Sequence, residues 1–183
     1  MSLLHELACD GDAEALEEAI RTTGLDVNDT DMECSGKTPL HWACYLGRLE
    51  CVKVLIKNKA NVSSRMFDGK TPAHCAAETG QIECLRALIA AGFSSLLFDN
   101  YRDTPLRIAE IYGRMKCVKL LKRAEEEEIE RLKARRLSRL FALHAVAEEN
   151  VATETDIAKA INIKRGSIAM QVPSVNFRRG SRT

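Results

Sequence analysis

The phrase Thr38-Pro39-Leu40-His41 returns as Thr71-Pro72-Ala73-His74 and as Thr104-Pro105-Leu106-Arg107, with a step of 33 residues each time. A period of that length marks one supersecondary unit stacked on copies of itself, each copy covering the apolar face of its neighbour. Such a chain presents a continuous surface, and its function is to be sought on that surface.

Each residue of the phrase has a mechanical reason. A residue before proline avoids the α region, and proline at the first helical position lacks an N–H that would have no partner there, so Thr-Pro predicts helices starting at Pro39, Pro72 and Pro105. Gly47, Gly80 and Gly113 follow nine residues after each threonine, where a short helix can close in a left-handed turn. Apolar residues then recur in steps of three and four, predicting a second helix that buries one stripe: Leu49, Val52, Val54, Leu55 and Ile56, then the set from Ile82 to Ile89, then the set from Met115 to Leu121.

The segment His5 to Gly11 matches His41 to Gly47, which makes it a first copy lacking its opening turn and set 36 residues ahead of the second. Its outer face carries Asp12, Glu14, Glu17 and Glu18, as suits an end unit that meets water. The Thr-Pro-Leu-His phrase, together with Gly24-Leu25-Asp26-Val27-Asn28, resembles the ankyrin repeat. The resemblance covers about residues 1–123 and implies an all-α solenoid of four helix-pair repeats with β-hairpin loops (about 1–33, 34–66, 67–99 and 100–123). It also implies that His41 and His74 are structural, bonded to neighbouring backbone. Repeat four departs from the pattern with Arg102 in place of the turn glycine of Gly36 and Gly69, and with Arg107 in place of the histidine.

Among 183 residues, 45% are apolar and 5% aromatic, a balance that suits packed helices. Met1 to Glu6 carries no basic stretch leading into an apolar run, and nowhere do 18 apolar residues stand together. A cytoplasmic protein is expected, with a nuclear one also compatible. The seven cysteines are an odd number, and Cys51, Cys84 and Cys117 share one repeated helical position, which predicts buried, reduced thiols. The net charge of +1 conceals a gradient: residues 1–36 hold ten acids and one base, whereas residues 37–123 hold fifteen bases and seven acids. That distribution argues against a nucleic-acid clamp, which needs one continuous basic face.

No glycine or proline interrupts the chain between Gly113 and Gly166, so the second helix of repeat four is expected to continue to about residue 148. Residues 124–150 read as a charged, then amphipathic, helical extension. Glu125 to Glu130 look solvated, with pairs such as Glu127 and Arg131 four residues apart. Leu137, Leu140, Phe141, Leu143, Val146 and Ala147 form an apolar face that either turns back onto the repeats or pairs with a second molecule, which can be another copy of the chain. A projecting helix whose apolar end docks on a partner protein is expected. A polar break is expected at Glu149-Asn150, then a short helix over Thr155 to Ile163 within a basic, mostly disordered tail over residues 151–183. Arg131 to Arg139 beside the apolar face would suit a membrane surface, but the preceding acids oppose this. Basophilic kinase patterns precede Ser138, Ser167 and Ser181, and the last two are the better candidates for phosphorylation, which would add roughly −1.5 to −2 charges each.

The sequence contains no Gly-rich phosphate loop, Gly-x-Ser-x-Gly, His-Glu-x-x-His or Cys-x-x-Cys, so neither an enzyme, a cofactor nor a metal is expected. The resemblance implies a protein partner held on the concave side by hairpin tips and the exposed ends of first helices. Carried over by position, those residues are Lys37, Tyr45 and Leu46 in repeat two, with Cys34 and Ser35. Repeat three supplies Phe67, Lys70 and Glu78, with Asp68 and Thr79. Repeat four supplies Tyr101, Asp103, Ile111 and Tyr112, with Asn100. The expected function is that of a non-catalytic adaptor, and the alternative is a membrane-surface or phosphorylation-regulated tether through the C-terminal region.

Overall fold

A computed structural model describes the backbone of residues 2–168 and the side chains of residues 2–142. Within these, eight helices follow one another: α1 (Leu3–Asp10), α2 (Ala13–Thr23), α3 (Pro39–Leu46), α4 (Leu49–Lys57), α5 (Pro72–Thr79), α6 (Ile82–Ala90), α7 (Pro105–Ile111) and α8 (Met115–Ile168). Three of them start at the Thr-Pro steps, with Thr38, Thr71 and Thr104 extended as N-caps. Gly47 and Gly80 close α3 and α5 in the left-handed region, with φ of 72° and 86°. Among the described residues there is no strand, and the hairpin character of the loops reduces to a single antiparallel bridge, Asp31 to Lys37.

Two units divide the chain, Met1–Arg131 and Leu132–Thr183. In the first, α1, α3, α5 and α7 pack side by side in one row, and α2, α4 and α6 pack in a second. Ala43, Ala76 and Ala109 are wholly buried at one 33-residue step along the first row, where a small side chain lets the helix axes come close. Leu55, Leu88 and Leu121 do the same for the second helices and are also wholly buried. Side chains of that size each contribute about 1.5–3 kcal/mol on burial, and they belong to one continuous core that runs from Leu4 to Leu121. Cys51, Cys84 and Cys117 fill buried slots as the register requires.

Histidines tie each repeat to the next. His5 Nε2 donates to the Lys37 carbonyl (3.0 Å), His41 Nε2 to that of Lys70 (3.3 Å) and His74 Nε2 to that of Asp103 (3.0 Å). A carbonyl can only accept, so Nε2 carries the proton and Nδ1 is left to accept. In repeats two and three that nitrogen takes the threonine N–H at 3.1 Å, completing a capping box. Each receiving carbonyl also closes its own turn, accepting from Asp31, Met66 or Asp99. Arg107 stands at the point where a fifth repeat would have to supply the next carbonyl, and it lies exposed against Glu110 at 3.4 Å. Met115, the counterpart of Leu49 and Ile82, is likewise 63% exposed, since no further unit covers it.

The unit that holds the repeats runs eight residues past Arg123, for a reason the charge pattern hid. Glu128 accepts from Ser94 Oγ (2.6 Å), Ser95 N–H (2.8 Å) and Ser95 Oγ (2.8 Å). The run Glu125–Glu128 is therefore only partly solvated: burial pushes the Glu125 carboxyl up, and at Glu128 the serine bonds overcome burial and hold its carboxyl down. The i,i+4 pair that forms is Arg123 with Glu127 (2.8 Å), so Glu127 turns away from Arg131.

In the second unit the backbone stays helical through Ile168, and the polar stretch at Glu149-Asn150 does not break it. Leu132, Leu137, Leu140 and Phe141 are exposed, and Ser138 Oγ donates to the Ala134 carbonyl (3.0 Å) as helical serines do. Ser167 falls within the last turn of α8. The side chains from residue 143 onward, and the tail holding Ser181, lie outside the described residues.

Candidate protein-binding face

In repeats two and three the turn ahead of the first helix meets the end of that helix, Lys37 with Tyr45 and Lys70 with Glu78. In the turns, Lys37, Lys70 and Asp103 occupy one register position and Gly36, Gly69 and Arg102 the one before it. The glycines have φ of 75° and 80°, and Arg102 takes the same left-handed conformation at 66°. Each turn is stitched to its neighbour: Phe67 N–H donates to the Ser35 carbonyl (3.0 Å), Asn100 N–H to that of Asp68 (3.0 Å), and Asn100 Nδ2 to that of Phe67 (2.9 Å). Arg65 adds a bond to the Phe98 carbonyl (2.7 Å). The tips therefore form a continuous edge held by backbone.

The residues named from the sequence fall into three groups. Tyr101 is 75% exposed and Phe67 59%, and Ile111 and Tyr112 stand open at the end of α7. Phe67 also leans on Gly36, where an added Cβ would meet its ring at 2.7 Å, so it supports the adjacent turn as well as facing solvent. Tyr45 and Leu46 are less open, at 36% and 39%.

Lys37, Tyr45, Lys70 and Glu78 come together with Met66 and Cys75 around a cleft of about 170 Å³. Lys70 and Glu78 do not present free charges there, because they pair with each other at 3.0 Å, with Asp68 at 3.9 Å from the same ammonium. Burial acts to lower the pKa of Lys70, but the Glu78 bond and charge prevail and raise it. Cys75 is pushed up to about 12 by burial, which makes its thiol inert as a nucleophile. Asp103 is half-buried, and its carbonyl is taken by His74.

Trp42, absent from the positions carried over, packs beside the Lys37 side chain that lines this cleft. The Lys37 ammonium lies 4.1 Å from the centre of its ring and 5.3 Å from that of Tyr45. The available signal was the lysine five residues ahead of a tryptophan and eight ahead of a tyrosine, a spacing that has meaning only once the turn and α3 are known to fold together.

The ankyrin-repeat family model, described as "Ankyrin repeats (many copies)", matches residues 4–56 and 40–89. Residues 4–89 of this chain are ankyrin repeats. One curated relative is acyl-CoA-binding domain-containing protein 2 of Arabidopsis thaliana, 41% identical over 58 residues, which are 32% of this chain and 16% of that protein. The match thus spans far less than two thirds of that relative. Ankyrin repeats are generally non-catalytic protein–protein interaction modules. Among the described residues, no group of three or more His, Cys, Asp or Glu is placed to hold a metal ion, and no helix is long and apolar enough to cross a membrane.

Proposed function

We propose that this ankyrin-repeat chain is a non-catalytic adaptor that holds another protein against the edge formed by its turns and the ends of α3, α5 and α7. The observation that carries the reading is the set of large apolar side chains left open along this edge, two pairs of them in register. Tyr45 and Leu46 close α3, Ile111 and Tyr112 stand at the corresponding places of α7, and Phe67 and Tyr101 crown two successive turns. Aromatic anchors of this kind carry most of the energy of protein interfaces. The backbone bonds between turns hold them in place before binding, so little ordering cost remains at association. All seven cysteines are free thiols, which supports work in a reducing compartment such as the cytoplasm.

The test is a set of affinities. Proteins retained on the wild-type chain are purified and titrated singly against wild type, Tyr45→Ala and Tyr101→Ala. Each substitution should weaken binding by ~1–3 kcal/mol with the melting temperature nearly unchanged. Unchanged affinity for both variants would move the working surface elsewhere, and parallel losses of binding and stability would mean that these tyrosines act in folding.

A further inference from the structure

The lysine position of the turns is treated differently in each repeat. In repeat three, Lys70 is neutralised by Glu78, eight residues on, with Asp68 nearby. In repeat two the same two places hold Tyr45 and Ser35. Lys37 accordingly rests on the Trp42 and Tyr45 rings (4.1 and 5.3 Å), and no carboxylate lies within ion-pair distance of it among the described residues. Repeat four has Asp103 in the lysine place and Ile111 in the glutamate place. Half-buried Lys37 is thus the one cation in this column without a counter-charge among the described residues, and it borders a cleft of about 170 Å³.

Aromatic rings attract a cation but do not neutralise it, and a partly desolvated ammonium gains most from a carboxylate. The cleft is several times the ~30 Å³ that one water occupies in the liquid, which leaves room for a side-chain carboxylate. Phosphate suits the place less well. Its recognition calls for a cluster of arginines, whereas here one free lysine faces the cleft beside Glu78 and Asp68, which would repel a double charge more than a single one. The exposed faces of Tyr45 and Leu46 next to the cation suit an apolar neighbour of that carboxylate.

Resting on the binding face described above, we propose that the partner is an acidic, apolar peptide segment: an Asp or Glu side chain pairs with Lys37 over the Trp42 and Tyr45 rings, and the adjoining apolar side chain packs on Tyr45 and Leu46. The wall of rings holds the ammonium in place before the partner arrives, so its charge is directed outward at low entropic cost. Lys37 reaches His5 through its carbonyl alone, so its side chain is free to be changed without disturbing that bond.

The experiment selects a phage-displayed random dodecapeptide library on the immobilised full chain. A synthetic peptide of the enriched sequence is then titrated against variants whose melting temperatures match wild type. An enriched Asp or Glu beside an apolar residue is expected. Lys37→Gln, or the amide in place of the peptide's acid, should each weaken binding about tenfold, and the two together should do little more, while Lys37→Glu should restore binding of a peptide carrying lysine at that place. An enriched sequence without an acid, or one indifferent to Lys37→Gln yet weakened by Tyr45→Ala, overturns the inference and leaves the binding face standing. Indifference to Tyr45→Ala and Tyr101→Ala as well overturns the binding face itself, and a library that yields no enrichment overturns both.

Discussion

The histidine ties make a pH dependence that can be worked out. His41 is wholly buried, and burial takes it from its ordinary 6.5 down to about 4, against the partial opposition of its bond to Lys70. The folded chain therefore resists protonation that the unfolded chain accepts. The stability contributed by neutral His41 is complete above pH 6.5 and is lost as pH falls from there through about 4. At 1.36 kcal/mol per pH unit of difference, integrating from neutrality down to pH 5 gives a loss of about 2 kcal/mol from this residue. His74 is shifted in the same direction by the same cause and adds to the loss. Urea unfolding at pH 7.5 and pH 5 is the assay, and the midpoint should fall by roughly 1 M for a urea slope of about 1–3 kcal/mol per M. His41→Gln should start less stable and lose less between the two pH values. A midpoint that does not move between pH 7.5 and 5, or a variant whose midpoint falls as far as that of wild type, would refute the account of a buried, neutral, proton-donating imidazole.

Three other outcomes follow from the same structure. Arg102 takes a left-handed φ of 66° in a turn where its counterparts are glycines, so Arg102→Gly should stabilise the chain by about 0.5–1 kcal/mol in thermal unfolding, whereas Gly69→Ala, whose Cβ would meet Asn100 N at 2.8 Å, should destabilise it. Removing the Glu128 carboxylate leaves two serine hydroxyls and an N–H without their acceptor, and Glu128→Ala should cost about 1–2 kcal/mol and speed amide exchange at Ser95. Native thiol labelling should modify half-buried Cys9 and Cys34 first and spare Cys44, Cys51, Cys75, Cys84 and Cys117 until denaturant is added. Rapid labelling of the buried five would contradict the packing described.

What recurs in this fold was legible, and what occurs once was not. The helix starts at Pro39, Pro72 and Pro105, the glycine turns and the buried cysteine column all follow from contacts that each repeat makes at the same offset, so spacing alone carries them. The Ser94–Glu128 tie is made once, at the end of the stack, and no repeated offset announces it. Read as a charge run, Glu125–Glu128 looked uniformly solvated, because helix position does not reveal which turn meets the loop. The Lys70–Glu78 pair joins a turn to the far end of the following helix. Both residues were named as surface slots, but their mutual neutralisation depends on a distance that pattern does not encode. The same holds for Lys37 over Trp42, a contact made in one repeat alone.

The histidine-to-carbonyl bond also bears on how such a chain can lengthen. Every internal boundary uses the same donor and the same acceptor place, His5 with Lys37, His41 with Lys70 and His74 with Asp103. A genetic duplication of the block between Thr38 and Lys70 would therefore insert a unit that already fits on both sides, its histidine meeting a turn carbonyl ahead and its own turn meeting a histidine behind. A copy made from the block that begins at Thr104 would bring Arg107 to the joint and leave the next turn unbonded there. Growth in the middle of the stack thus keeps every such bond, whereas growth at its end gives up one, worth about 1 kcal/mol, until Arg107 is exchanged for histidine.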